Sequence, residues 1–174
     1  MFDKEYAFRG KHADMVTRLT TPFGRNNVKL FERVIDAYIM APLVGFLYSK
    51  KADLDKSEGD KKIFLEQISK NEKTLWLTYR LIMLLDAKHA PDLEERIDKA
   101  FRHYGSDKAF TDESLFEEYV RGGIEVLHEK LIESSKKEED YLENLFNFID
   151  DINNRYSKEV DIDSIYDLCR TART

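Results

Sequence analysis

Cysteine is almost missing from this chain of 174 residues, and the one that occurs, Cys169, has no partner in sequence. A single thiol excludes an internal disulfide and any zinc site built from several cysteines, and it fits a reducing compartment best. Glycine and proline are also scarce, at 7 and 3 residues. The charged fraction of 36% therefore favours long solvated helices over a turn-rich β fold or a disordered chain.

Long hydrophobic runs are missing as well. The most apolar stretch, Val34–Tyr48, is shorter than the roughly 20 residues that a spanning helix requires, and it contains Asp36 and Pro42. The residues that follow Met1 are charged where a signal peptide would need an apolar core. We therefore expect a cytoplasmic protein without membrane contact, in which Val34–Tyr48 is a buried helix.

The sequence also lacks the alternation of apolar and polar residues that predicts a strand. Apolar residues recur instead at intervals of three and four, which is typical of amphipathic helices. The predicted helices cover about 3–19, 27–49, 61–87, 91–104, 111–131 and 135–156, with a last short helix over 162–170. The expected fold is all-α: an irregular bundle or array of six to seven helices in a single domain, 1–174, with a flexible charged connector at about 50–62.

Several helices carry local signals. Pro42 predicts a kink or a break in the second helix, and the third helix is apolar enough on several sides to be the central one. Thr111 and Asp112 are candidate caps of the fifth helix, while Ser135 with Glu138 has the spacing of a capping box for the sixth.

Two features conflict with a simple amphipathic pattern. Gly122 and Gly123 interrupt the fifth helix at a cost of roughly 2 kcal/mol relative to alanine, so we expect them to allow close approach of another helix or a partner chain, or else a break. Asp36 lies among apolar residues, and a structural ion pair with Arg33 or Arg80 is the expected explanation.

Catalytic motifs are missing: the sequence has no nucleophile elbow, phosphate-binding loop or dinucleotide-binding glycine motif. Glu125 and His128 form one E-x-x-H pair, the spacing used by di-metal sites in helical bundles, but such a site needs a second copy and two further glutamates. We therefore expect His128 to be a surface or boundary residue, and we predict no metal and no cofactor.

The charge is unevenly distributed. Residues 1–62 carry 12 Lys and Arg against 9 Asp and Glu, whereas residues 63–174 carry 16 against 25. A loose group of cations in the first two predicted helices could bind phosphates, although the alternative is that they solvate outer helix faces. This candidate anion or nucleic-acid surface consists of Arg9, Lys11, Arg18, Arg25, Lys29 and Arg33.

Three functional hypotheses follow. The leading one is a non-enzymatic interaction or accessory subunit of an intracellular protein assembly, with a protein partner or self-association. The alternative is a nucleic-acid-associated component of a bacterial genome-maintenance or phage-defence complex that uses the basic N-terminal helices. A metal-dependent helical enzyme is the third, and the sequence favours it least.

Overall fold

A computed structural model describes residues 1–24, 27–133, 135 and 137–156. The fold is all-α apart from one small sheet, as the sequence predicts. The described α-helices are α1 (Lys11–Thr20), α2 (Val34–Leu47), α3 (Leu65–Lys70), α4 (Glu72–Leu85), α5 (Leu93–Ile97), α6 (Ala109–His128) and α7 (Glu138–Tyr156), and short π-helical segments follow α5 (Asp98–Arg102) and α6 (Glu129–Glu133). The predicted helix over 162–170, with Cys169, lies outside the described residues.

The sheet joins two segments that the sequence assigned to other structures. Strand β1 (Tyr6–Arg9) pairs antiparallel with β2 (Asp60–Ile63), so the prediction of a helix from residue 3 is wrong. Gly10 ends β1 with a φ of +51°, and the Asp55 carboxylate accepts a hydrogen bond of 2.7 Å from the Lys11 amide at the start of α1. Each strand has only four residues and its partner is distant in sequence, so no local pattern reveals either.

The centre of the molecule is the contact between α2 and α6. Every residue of α6 from Tyr119 to Ile124 is buried. A Cβ atom on Gly123 would overlap the Ala41 carbonyl of α2, and one on Gly45 of α2 would overlap the Tyr119 carbonyl of α6. The two helix backbones therefore touch directly, which side chains larger than hydrogen at these positions would prevent.

Helix α2 continues through Pro42, so the alternative of a break is wrong. Proline removes one helical hydrogen bond at a typical cost of about 3 kcal/mol. Burial of the surrounding residues against α6 offsets that cost, since Tyr38, Ala41 and Val44 are all buried. At the start of α2, Asp36 forms a capping box with Arg33, whose guanidinium lies 2.7 Å from the carboxylate.

The predicted third helix is divided, and it is not central. Its first residues form β2, and Asn71 separates α3 from α4 by donating its side-chain amide to the Gln67 carbonyl at 2.8 Å. Helix α4 buries one side in the core, but on its other side Leu77, Leu81 and Leu85 are 59%, 40% and 60% exposed. The prediction of a central third helix is wrong because the apolar composition of a helix does not show which elements pack around it.

The caps of the later helices differ from those predicted. Helix α6 begins at Ala109, and Asp112 is buried in its first turn, where it accepts a 2.6 Å hydrogen bond from His103. Near the start of α7, Asp140 accepts a 2.8 Å hydrogen bond from the Lys137 amide, while Ser135 donates its hydroxyl to Leu131. Aspartate and serine side chains do form hydrogen bonds near the starts of α6 and α7, but not at the cap positions that the sequence motifs indicated.

Candidate functional site

Glu125 of α6 is the centre of a charged cluster. Its carboxylate lies 2.7 Å from Lys11 Nζ, 3.4 Å from Lys50 Nζ and 3.2 Å from His12 Nε2. Burial raises the pKa of Glu125, but the hydrogen bonds from Lys11, Lys50 and His12 outweigh it and hold the pKa below its ordinary value. Glu125 is therefore an ionised residue that ties α1 and the end of α2 to α6.

His12 and His128 are both buried, at 1% and 5% exposure, so the prediction of a surface or boundary position for His128 is wrong. Burial lowers the pKa of each histidine below its ordinary value, and it outweighs the opposite effect of Glu125 on His12 and of Glu133 on His128. His12 donates through Nε2 to Glu125, which leaves its buried Nδ1 without a hydrogen bond. Neither ring nitrogen of His128 has a hydrogen-bond partner in the described part of the chain.

The E-x-x-H pair does not converge on one point. Glu125 faces Lys11 and Lys50, whereas His128 lies 3.4 Å from Glu133 and close to the charge of Arg18. Among the described residues, no group of three or more His, Cys, Asp or Glu is arranged to hold a metal ion. The spacing of Glu125 and His128 on one helix is compatible with a shared metal ion. In the folded chain, however, residues of other elements give the two side chains different partners.

The predicted basic residues differ in how they are partnered. Three of them form ion pairs with carboxylates: Lys11 with Glu125, Lys29 with Glu32 at 3.1 Å, and Arg33 with Asp36. Arg9 at the end of β1 and Arg18 on α1 are exposed and form no ion pair within the described residues, and Arg25 lies outside these residues. The free positive charge of this group is therefore smaller than the sequence suggested.

Gly122 and Gly123 lie at contacts within the chain. Gly123 faces α2, and a Cβ atom on Gly122 would overlap the backbone of Lys50. The segment after α2 is fixed there, because the Ala52 amide donates to Glu118 and the Arg121 guanidinium donates to Ala52. The first residues of the charged connector therefore pack against α6, and these contacts fix the positions of Lys50 and Lys51.

A cavity of about 640 Å³ opens beside this segment, where the ends of α2 and α4 meet the middle of α6. Sequence reasoning missed it, since its walls come from three distant stretches. Tyr119 and Asp86, 4% and 5% exposed, share a hydrogen bond of 2.7 Å at its base. Burial raises the pKa of Tyr119, and the bond to Asp86 raises it further, so the phenol stays protonated and donates.

The outer face of α4 is the other feature that the sequence did not indicate. We call Leu77, Leu81 and Leu85 the α4 stripe; they recur every four residues and therefore lie along one side of the helix. Beside the stripe, the Arg80 guanidinium lies 5.8 Å from the Trp76 ring and 5.4 Å from the Phe101 ring. Contiguous exposed leucines next to aromatic residues are typical of interaction surfaces.

The sequence was compared with protein-family models, curated proteins and solved structures. No curated protein and no solved structure matches the chain. None of the described helices is long and apolar enough to cross a membrane. A family model described as DNA sulphur modification system-associated protein 4 matches residues 9–165, a range that contains all seven described α-helices. The chain therefore belongs to the DNA sulphur modification system-associated protein 4 family.

Proposed function

We propose that this protein is a non-enzymatic accessory subunit of a DNA sulphur modification system and binds another protein subunit of that system through the α4 stripe. The exposure of the stripe is the observation that carries the proposal. One side of α4 is packed into the core through Leu75, Ile82 and Met83, whereas the α4 stripe on the other side is exposed. The family description, a protein associated with such a system, supports a partner from the same system.

The chemistry of the stripe favours a protein over a nucleic acid. Leucine side chains offer nothing to phosphates, whereas covering a half-exposed leucine contributes on the order of 1 kcal/mol to association. Arg80 lies between Trp76 and Phe101, and arginine with aromatic residues is the combination enriched where interfaces have their strongest contacts. A partner helix with its own apolar side would cover this surface.

The proposal is tested by placing a photo-crosslinking amino acid at Leu81 in the tagged protein, expressed in its native host. We expect a crosslink to a subunit of the sulphur modification system, identified by mass spectrometry. The matched control places the same amino acid at Leu54, a 48% exposed leucine between α2 and β2 and outside the α4 stripe, and we expect no such crosslink there.

A second variant separates binding from folding. Leu77→Asp should abolish co-purification with the crosslinked subunit, while the circular dichroism spectrum and melting temperature change little because Leu77 is 59% exposed. A crosslink from Leu81 to a second copy of the chain only, or equal crosslinking from both positions, would overturn the proposal.

Direct contact with DNA is a second candidate, and the link of the family to a DNA modification system favours it. Among the members of the basic group that the structure describes, Arg9 and Arg18 are left for this role, because Lys11, Lys29 and Arg33 are paired with carboxylates. If the candidate holds, DNA binding falls steeply with salt and is lost in Arg9→Glu with Arg18→Glu. Unchanged migration of DNA at low salt would remove it.

A further inference from the structure

The cavity at the ends of α2 and α4 combines two kinds of wall. Phe46, Leu47 and Leu85 supply apolar surface, while Ser49 and His89 supply polar groups. Its volume of about 640 Å³ lies within the 300–1,000 Å³ typical of small-molecule sites. A ligand that fits must therefore present both an apolar body and groups that form hydrogen bonds.

The charges that remain available in the cavity are positive. Lys51 and Lys88 line it; Lys51 Nζ lies 5.0 Å from the centroid of the Tyr119 ring, Lys88 donates to Ser49, and neither forms an ion pair with a carboxylate among the described residues. The carboxylate of Asp86 is already used: it accepts hydrogen bonds from the Tyr119 hydroxyl at 2.7 Å and from the His89 amide at 3.1 Å. A head group that contacts these lysines is therefore expected to be an anion.

The backbone at the cavity is held in a conformation that L-residues rarely adopt. Ser49 follows α2 with a φ of +52°, at a position where glycine usually ends a helix. The Lys50 amide bonds to Gly45 at 2.8 Å and the Ser49 amide to Phe46 at 3.0 Å, which completes the helix end. Unlike glycine, serine supplies a hydroxyl, and its Oγ accepts a hydrogen bond of 3.1 Å from Lys88. The strained residue thus holds one of the two cations.

We propose that this cavity binds a nucleotide, with the phosphate on Lys51 and Lys88 and the base against Phe46 and Leu85. A planar heteroaromatic base has apolar faces for these two side chains and a polar edge for Ser49 and His89. An aliphatic tail would leave the polar wall without partners, and bare phosphate would leave the apolar wall uncovered. The proposal does not depend on a protein partner at the α4 stripe, although Leu85 belongs to both surfaces.

The test is calorimetric titration of the full chain with each of the four deoxynucleoside monophosphates, and separately with inorganic phosphate, decanoate and a short single-stranded oligonucleotide. We expect saturable binding of at least one mononucleotide, with shifts of the Ser49, Lys51 and His89 amide signals in NMR spectra. Tighter binding of the oligonucleotide would identify a DNA strand as the source of the nucleotide, and tighter binding of the monomer would identify the free compound.

The variant Lys51→Gln with Lys88→Gln should weaken nucleotide binding roughly tenfold or more, which corresponds to about 1.4 kcal/mol. Lys62→Gln on β2 is the matched control, because it removes an exposed lysine outside the cavity, and it should leave binding unchanged. Melting curves of the variants verify that each is folded. No saturable binding of any nucleotide, equal binding of inorganic phosphate, or a preference for decanoate would overturn the proposal.

Discussion

The contact between α2 and α6 and the outer face of α4 are both apolar helix surfaces, yet the first is closed within the chain and the second is exposed. Gly45, Gly122 and Gly123 let backbones meet at the first surface, where no other molecule fits. The leucines of the α4 stripe project outward and leave a surface that a second molecule can cover. Side-chain size, rather than hydrophobicity alone, therefore distinguishes an internal contact from a docking surface.

The largest effect is expected from Gly123→Ala. Its methyl group would overlap the Ala41 carbonyl, and a backbone atom inside a helix cannot move aside as a side chain does. We expect a loss of about 5 kcal/mol or more in the free energy of unfolding, or no folded protein, measured by urea denaturation. In the control Gly105→Ala, nothing lies within 4 Å and the φ of +78° adds strain of only about 1–2 kcal/mol. Equal stability of the two variants would contradict the direct backbone contact.

A pair of leucine truncations compares the two surfaces directly. Leu127 on α6 is 1% exposed, so Leu127→Ala should lower the free energy of unfolding by about 2–5 kcal/mol through lost burial and a cavity. Leu77 in the α4 stripe is 59% exposed, so Leu77→Ala should cost below about 1 kcal/mol. Similar losses in thermal melts of the isolated protein would show that the stripe contributes to the core.

Ser49→Gly tests whether the end of α2 is strained. Glycine adopts the φ of +52° without a steric penalty, so the variant should be more stable by about 1 kcal/mol, or roughly 2–4 °C in melting temperature. It also removes the hydroxyl that holds Lys88. The predicted combination is therefore higher stability with weaker nucleotide binding, and a variant less stable than the parent would contradict the strain.

The pH dependence of stability probes the buried histidines of the α1–α6 contact. The pKa values of His12 and His128 lie below the ordinary 6.5, mainly because of burial. Below about pH 6.5 the unfolded chain binds more protons than the folded one, so stability is present above that pH and is lost as pH falls through the folded pKa values. The charges of Glu125, Lys11 and Arg121 also act on His12, and the pKa of His12 remains lowered when all three are taken into account.

The measurement is urea denaturation at about pH 7.5 and about pH 5.5, which lie on either side of the ordinary histidine pKa. His12→Gln should lose less stability between the two conditions than the parent protein. Glu125 does not affect this comparison, because its pKa lies below the ordinary value of 4.5 and it therefore titrates at a more acidic pH. An unchanged difference in the variant would show that His12 does not titrate with folding.

The sequence indicated the fold class but not the site. Helical periodicity over residues 111–131 predicted α6 and its buried side, and the ion pair expected for Asp36 forms with Arg33, one of its two candidate partners. The cavity could not be predicted, since Lys51, Lys88 and Tyr119 lie far apart in sequence and meet only in the folded chain. The pairing of β1 with β2 could not be predicted either, because each strand is too short to show a period and its partner is distant in sequence.

By itself, the sequence determined that this protein is helical, because apolar spacing and scarce glycine and proline act within a few residues of chain. Only the tertiary structure decided which apolar helix is central, which cations are neutralised and where a cavity opens. Those outcomes depend on long-range neighbours: Gly123 against Ala41, Lys11 against Glu125, and Ser49 beside Lys88. Local propensity is a property of each segment, whereas burial and charge pairing belong to the assembled chain.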